Sequence, residues 1–429
     1  MLKNVTPAVV NISTSQARQQ TANPLMQDPF FRYFFEQNPQ HYKSPQQSQR
    51  PAQSAGSGVI VDSKKGIIIT NYHVVKDADE VIVQLTTGHE SKAKVLGSDP
   101  EVDLAVLELE NREIIDSVIQ LPLNDTDSLQ VGDFVAAVGN PFGLGQTVTT
   151  GIISALGRTG LGIEGYENFI QTDASINPGN SGGALVNYKG ELIGINTAIL
   201  APTGGNVGIG FAIPANMVKA SMDQILKYGE VKRGMLGILI QDLTPDLAQA
   251  FQLDDRQQGV LIAQVQPGSS AERAGLREGD VVTYLNGKKM TSSAALRNAI
   301  GIRPIGEKIE LDYLRNGKKF QQQVVIGAKD SPVSAANPAK LPSNDEGAVD
   351  ERLAGLSITN DRQPGIIVDQ IQADSAASYS GLRQGDRILQ VNREVVDSVK
   401  AFNQALESSP KQLLMRIERS GIALYLAIQ

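Results

Sequence analysis

Residues 259–286, GVLIAQVQPGSSAERAGLREGDVVTYLN, align without gaps to residues 365–392, GIIVDQIQADSAASYSGLRQGDRILQVN, at an offset of 106, with 11 of 28 positions identical. A repeat of that length obliges the C-terminal half of the chain to hold two copies of one small module. Both copies read as a strand, a short helix, a Gly-Asp turn, a strand, a second helix and final strands. Gly275-Leu276-Arg277 and Gly279-Asp280 answer to Gly381-Leu382-Arg383 and Gly385-Asp386. Leu296 and Ile300 in one copy, and Phe402 and Leu406 in the other, mark one face of the second helix. The expected bounds are 231–328 and 349–429. A Pro/Ala/Ser/Asn stretch without periodicity joins them as a linker at 329–348.

Residues 1–230 have a different texture. Short β-branched runs such as GVIVDSKKGIIIT, EVIVQL, DLAVLELE, DFVAAVG and GIGFAIP are separated by Gly, Asp and Lys turns, which predicts an all-β barrel or sandwich. A helix is predicted at 214–228, opened by Pro214 and closed by Gly229, with Met217, Met222, Ile225 and Leu226 on its packed face. Residues 13–55 read as a long insertion. It is rich in Gln, Pro and Ser, yet it carries Phe30, Phe31, Tyr33, Phe34 and Phe35 close together. Such a knot packs either on its own domain or on something else, as an intersubunit anchor or a lid.

The chain has 39 basic and 46 acidic residues, a net charge of −7, which argues against a nucleic-acid binder. With no cysteine, disulfides, thiol catalysis and Cys-ligated metals are excluded. The only histidines are His41, His73 and His89, so a multi-histidine metal site has little material, and no metal or cofactor is expected. No run approaches the roughly 18 apolar residues of a membrane span.

Chemistry concentrates in Asn177-Pro178-Gly179-Asn180-Ser181-Gly182-Gly183, one serine among small turn formers. Such a loop can turn its backbone N–H groups toward a developing oxyanion. A serine hydroxyl needs a base to take its proton, and the base needs an anion to fix its tautomer. His73, at the end of an apolar strand, and Asp103, just before another, supply these types. Alone, the histidine reads as a core residue and the aspartate as a turn cap. Together with Ser181 they stand in the His, Asp, Ser order of chymotrypsin-like proteases.

With these residues the sequence resembles the HtrA (Deg) family of chymotrypsin-fold serine proteases with C-terminal PDZ domains. The matching stretches are Thr70-Asn71-Tyr72-His73-Val74-Val75, Asp103-Leu104-Ala105-Val106, and Gln171-Thr172-Asp173-Ala174 running on into Asn177–Gly183. The resemblance covers essentially the whole chain and implies a mainly β fold: a chymotrypsin-like double β-barrel followed by two PDZ-like α+β modules. It implies an ATP-independent serine endopeptidase with chaperone behaviour, acting in protein quality control and stress response on unfolded periplasmic proteins. His73, Asp103 and Ser181 would be the triad, with the oxyanion hole at Gly179, Asn180 and Ser181.

An apolar pocket near Ile199, with Ser175 six residues before Ser181, implies cleavage after small aliphatic residues. Arg158, in the loop 157–167, would relay binding events to the oxyanion loop. Arg233-Gly234-Met235-Leu236-Gly237-Ile238 would receive a peptide C-terminus or an extended segment as an added strand. Residues 351–357 of the second copy lack that tight arrangement. Phe30, Phe31, Phe34 and Phe35 would reach a neighbouring subunit of a homotrimer that assembles into hexamers and larger cages. The resemblance places the chain in the periplasm without its signal peptide, with room for peripheral membrane contact. A scaffold or holdase with an idle barrel, and a protease dedicated to one native partner, are the competing readings.

Overall fold

The computed structural model describes residues 1–15, 54–111, 114, 119–140, 145–177, 179–199, 207–328, 350–361, 363–407 and 412–428. Phe30, Phe31, Phe34, Phe35, His41 and the 329–348 linker lie outside the described residues. The chain divides into two compact units, Met1–Lys232 and Arg233–Gln429. No helix among the described residues is long and apolar enough to cross a membrane.

The first unit holds two closed six-stranded antiparallel barrels. Strands β1 (Val9–Ser15), β2 (Ser54–Asp62), β3 (Ile67–Thr70), β4 (Glu80–Gln84), β5 (Glu90–Asp99) and β6 (Leu104–Leu109) close in the order β1-β2-β3-β6-β5-β4. Strands β1 and β2 thus reclaim 13–15 and 54–55 from the segment read as an insertion. Alternate residues fill the barrel: Val10 and Ile12, Val81 and Val83, Ala105 and Leu107 pack with Ile60 and Ile68. Their strand neighbours Ile69, Leu104 and Val106 are also buried, so residues 67–69 of β3 and 104–107 of β6 read as continuous apolar runs because both faces are covered there.

The second barrel follows from β7 (Phe134–Gly139), β8 (Thr147–Arg158), β9 (Phe169–Thr172), β10 (Ala184–Asn187), β11 (Leu192–Ile199) and β12 (Gly210–Pro214). Its interior is lined by Val135, Ala137, Ile153, Ile170, Leu185, Ile193 and Ala212. The predicted helix spans Ala215–Tyr228 and ends where the Gly229 N–H donates to the Ile225 carbonyl. Its packed face carries Met217, Val218, Ser221, Gln224 and Ile225. Leu226, expected on that face, is exposed, because one step past Ile225 turns the side chain about 100° away from the barrel.

The second unit contains the repeat. One copy is the sheet β13 (Ile238–Asp242), β14 (Val260–Val265), β15 (Val281–Leu285), β17 (Lys308–Arg315) and β18 (Lys318–Val325), with β16 (Lys288–Lys289) on β15. The other is β19 (Leu356–Asn360), β20 (Ile366–Ile371), β21 (Arg387–Val391), β23 (Leu413–Arg419) and β24 (Ile422–Ile428), with β22 (Glu394–Val395) on β21. Even the register shifts repeat, between Leu239 and Ile240 as between Ser357 and Ile358.

The repeated Gly-Leu-Arg and Gly-Asp residues build a clamp. Asp280 accepts from the Arg277 N–H (2.8 Å) and takes two bonds from the Arg315 guanidinium (2.7 Å each), which also reaches the Gly275 carbonyl (2.8 Å). Asp386 does the same with the Arg383 N–H, Arg419 and the Gly381 carbonyl.

Between their first two strands the copies differ by twelve residues. The starts of β13 and β14 are 22 positions apart, those of β19 and β20 only ten. The extra length carries the helix Pro245–Ala250. Leu247 and Phe251 from this segment join Leu261, Val281 and Leu314 in one cluster with Leu414 and Tyr425 of the second copy. Phe251 meets the Tyr425 ring edge-on at 5.2 Å, and Arg393 lies over Phe251 at 5.1 Å.

Candidate active site

The last residue of β3, Thr70, leads through Asn71 into the single turn Tyr72–Val75, which carries His73. The tight turn before β6 carries Asp103, buried and at φ +57°. These two segments of the first barrel are tied together. Asp103 Oδ1 accepts from the His73 backbone N–H (2.9 Å), Asp103 Oδ2 lies 2.7 Å from His73 Nδ1, and the Asn71 side chain donates to the Asp103 carbonyl (3.0 Å).

The second barrel supplies the rest. Thr197 of β11 donates its hydroxyl to Asp103 Oδ2 (2.7 Å), and its carbonyl accepts from Ser181 Oγ (3.3 Å). Thr197 therefore touches both the acid and the serine, a role for which its sequence context held no signal. Ser181 sits between β9 and β10 in a chain of tight turns, with Asn180 N–H on the Asn177 carbonyl and Gly183 N–H on the Asn180 carbonyl, both 2.9 Å. Gly182 is required here. Its φ is +81°, and a Cβ would fall 2.1 Å from the Ser57 carbonyl oxygen and 2.4 Å from the Thr70 hydroxyl.

The other sequence-predicted residues are placed as follows. Arg158 donates to the Gln171 side chain (2.8 Å). The loop beyond it is organised by Glu167, which sequence reasoning passed over: its buried carboxylate accepts from the backbone N–H groups of Leu161, Ile163 and Glu164. The next turn is tied to the segment before Asp103 by the Tyr166 N–H on the Glu101 carbonyl (2.8 Å). Ile199 ends β11, and its side chain is outside the described residues. Ile176 is buried nearby, and a Cβ on Gly210 would meet its Cδ1 at 2.9 Å.

In the second unit, the N–H groups after Gly234 are not all open to a ligand. Met235 is held in a reciprocal pair with Gly327, at 2.9 and 2.8 Å. The Leu236 and Gly237 carbonyls accept from Ala271 and Gln266 (2.9 Å each), and Gly237 has φ +73°. Ala354 and Gly355 repeat that pattern with Ala377 and Gln372, so the second copy shares the loop's backbone frame despite its different side chains. His89 is exposed, its ring 2.9 Å from the Thr87 hydroxyl and its carbonyl accepting from the Leu85 N–H (2.8 Å).

Residues 56–195 match the family model of the trypsin-like peptidase domain, and 234–326 and 346–418 each match that of the PDZ domain. The chain is 44% identical to the periplasmic serine endoprotease DegP of Salmonella typhimurium, over all of this chain and 91% of that protein. It is 43% identical to the periplasmic pH-dependent serine endoprotease DegQ of Escherichia coli, over all of this chain and 90% of that protein. Among solved structures it is similar to the HtrA-type protease AlgW with a decapeptide. That likeness has a TM-score of 0.57 and 41% identity, over 77% of this chain and 98% of the other. A double β-barrel with His73 bound to Asp103 and a Gly-Asn-Ser-Gly-Gly loop at its seam, followed by two PDZ domains, thus belongs to the HtrA family of serine proteases, that of DegP and DegQ.

Proposed function

We propose that Ser181 is the nucleophile, His73 its base and Asp103 the anion that orients the base, in an ATP-independent endopeptidase acting on unfolded periplasmic proteins. The observation that carries this reading is the Asp103 carboxylate, gripped by the His73 main chain, the His73 ring and the Thr197 hydroxyl at 2.7–2.9 Å. With Asp103 accepting from Nδ1–H, the Nε2 lone pair of His73 takes the Ser181 proton as Oγ attacks the scissile carbonyl. The N–H groups of Gly179 and Ser181 hold the oxyanion, and Asn180 keeps the loop's turn between them. His73 then protonates the leaving amine, and water hydrolyses the acyl-enzyme by the same route.

Buried Ile176 against Gly210, with Ile199 at the end of β11, favours a shallow apolar pocket suited to Val, Ile or Ala at the cleaved position. Division into a protease domain at 1–230 and PDZ domains at 231–328 and 349–429 fits the matched regions. The loop Arg233–Ile238 would capture extended chain through Leu236, Gly237 and Ile238, and the second copy would serve assembly. Arg158 would couple capture to the oxyanion loop. A homotrimer growing into hexamers and cages, with Phe30, Phe31, Phe34 and Phe35 as intersubunit anchors, would give chaperone behaviour as well as proteolysis. Periplasmic location follows the two named relatives.

The test is β-casein degradation without ATP by this chain and by Ser181→Ala, with light scattering on the same samples. Serine-dependent cleavage with growth in particle size is expected. Cleavage that survives Ser181→Ala would overturn the assignment. Substrate held soluble by both proteins without cleavage by either would favour a holdase.

A further inference from the structure

The oxyanion donors assigned above belong to Gly179 and Ser181, and the carbonyls of those same two residues are both held by one residue of the other barrel. Ser57, fully buried in β2, donates its hydroxyl to the Gly179 carbonyl (2.5 Å), and its backbone N–H donates to the Ser181 carbonyl (2.8 Å). Ser57 is itself fixed. Its Oγ accepts from the Asn140 N–H (2.8 Å), which leaves the hydroxyl proton for Gly179, and its carbonyl accepts from the Thr70 hydroxyl (2.7 Å). The Asn140 carbonyl in turn accepts from the side chain of Asn11 in β1 (2.8 Å), which also reaches toward the Gly56 carbonyl at 3.5 Å.

Gly179 has φ +93°, a region where glycine has no steric preference of its own to hold a peptide plane. The orientation of the Gly179–Asn180 peptide must come from its partners. Those are the Ser57 hydroxyl at the carbonyl end and the Asn177 carbonyl at the N–H end. We infer that Ser57 is a positioning residue for the oxyanion hole: its hydroxyl fixes the Gly179–Asn180 peptide, which stands between the two donor N–H groups, across the Gly179 Cα from one and across the Asn180 Cα from the other, with Asn140 and Asn11 behind it linking the loop to the first strand of the opposite barrel. This inference rests on the assignment of Ser181 as nucleophile and of Gly179 and Ser181 as oxyanion donors. It adds a residue whose hydroxyl touches neither substrate nor His73.

A hole that is preorganised before reaction acts on the transition state more than on the bound substrate, so its loss appears in kcat rather than KM. Removing an oxyanion donor outright lowers kcat by about 10²–10³. Loosening one through its support should lower it by about ten- to a hundredfold. The experiment uses the full chain as wild type, Ser181→Ala, Ser57→Ala, Ser57→Thr and Asn11→Ala. It measures thermal unfolding, kcat and KM on a fluorogenic peptide, and inhibition by a peptide aldehyde whose hemiacetal oxygen occupies the hole.

Ser57→Ala is expected to fold, to keep KM within about twofold, and to lose kcat and aldehyde affinity in parallel, with Ser57→Thr recovering most of both. A folded Ser57→Ala with kcat within threefold of wild type, or one whose loss lies in KM alone, overturns the inference. If Ser57→Ala does not fold, Asn11→Ala decides. A kcat loss of about three- to tenfold at unchanged KM supports the chain of contacts, and an unchanged kcat overturns it. Activity surviving Ser181→Ala would instead sink the underlying assignment. Loss in Ser181→Ala beside a fully active Ser57→Ala sinks this inference alone.

Discussion

Replacing Asp103 by asparagine probes the proposed triad at the point where the structure leaves the new side chain least choice. If the amide oxygen takes the place of Oδ1, it keeps the bond from the His73 backbone N–H at 2.9 Å. The amide nitrogen then stands where Oδ2 was, 2.7 Å from both His73 Nδ1 and the Thr197 hydroxyl oxygen. It must donate to Nδ1, which forces the imidazole proton onto Nε2, the atom that has to accept from Ser181. Turning the amide over would restore the tautomer but set NH₂ against the His73 N–H, leaving a buried donor without an acceptor at about 1–3 kcal/mol. The site is therefore held in the wrong tautomer.

That error lowers kcat by about 10⁴ in proteases of this mechanism. At 1.36 kcal/mol per decade this is about 5 kcal/mol of transition-state stabilisation. The assay is steady-state cleavage of a fluorogenic peptide near neutral pH, with calorimetry showing that Asp103→Asn stays folded. A folded Asp103→Asn that keeps a tenth or more of the wild-type kcat would refute the assignment of Asp103 as the group that sets the tautomer.

Two further predictions concern the second unit. Asp280→Ala and Asp386→Ala each strip the partner from a guanidinium that is only about one-fifth exposed, and each should destabilise its own copy by about 3–5 kcal/mol. Calorimetry showing less than about 1 kcal/mol for either would mean the repeated clamp is structurally idle. Burial pushes the Tyr425 phenol up to about 12 from its ordinary value of 10, so the folded unit prefers the neutral ring. The stabilisation is complete below pH 10 and is lost as pH rises from 10 toward 12. Tyrosinate absorbance and small-angle scattering should show the docked copies parting in that window, and Tyr425→Phe should blunt the change; an identical profile in that variant would assign it to other groups.

Local patterns and the internal repeat were legible in the amino-acid sequence. The β-branched runs of residues 56–213 announce strands because a pleated, well-covered backbone selects those side chains. The 106-residue offset announces two like modules, and small residues around one serine announce a loop where a substrate backbone can approach. What it could not contain was the choice of long-range partners. Barrel and sandwich share the same strand pattern, and only closure of β1 onto β4 and of β10 onto β7 distinguishes them.

Thr197, Ser57 and Glu167 look like ordinary polar residues until folding brings each to a buried acceptor or donor far away in sequence or across a loop. The aspartates of the repeat were visible, but Arg315 and Arg419 lie outside the aligned block and pair with them only once the last strands return to the sheet. The gap-free alignment likewise began just after the twelve extra residues that place Phe251 against Tyr425. Periodicity is set by neighbours along the chain and survives in the sequence. A buried hydrogen bond is set by which distant groups share one desolvated volume, and only the tertiary structure fixes that.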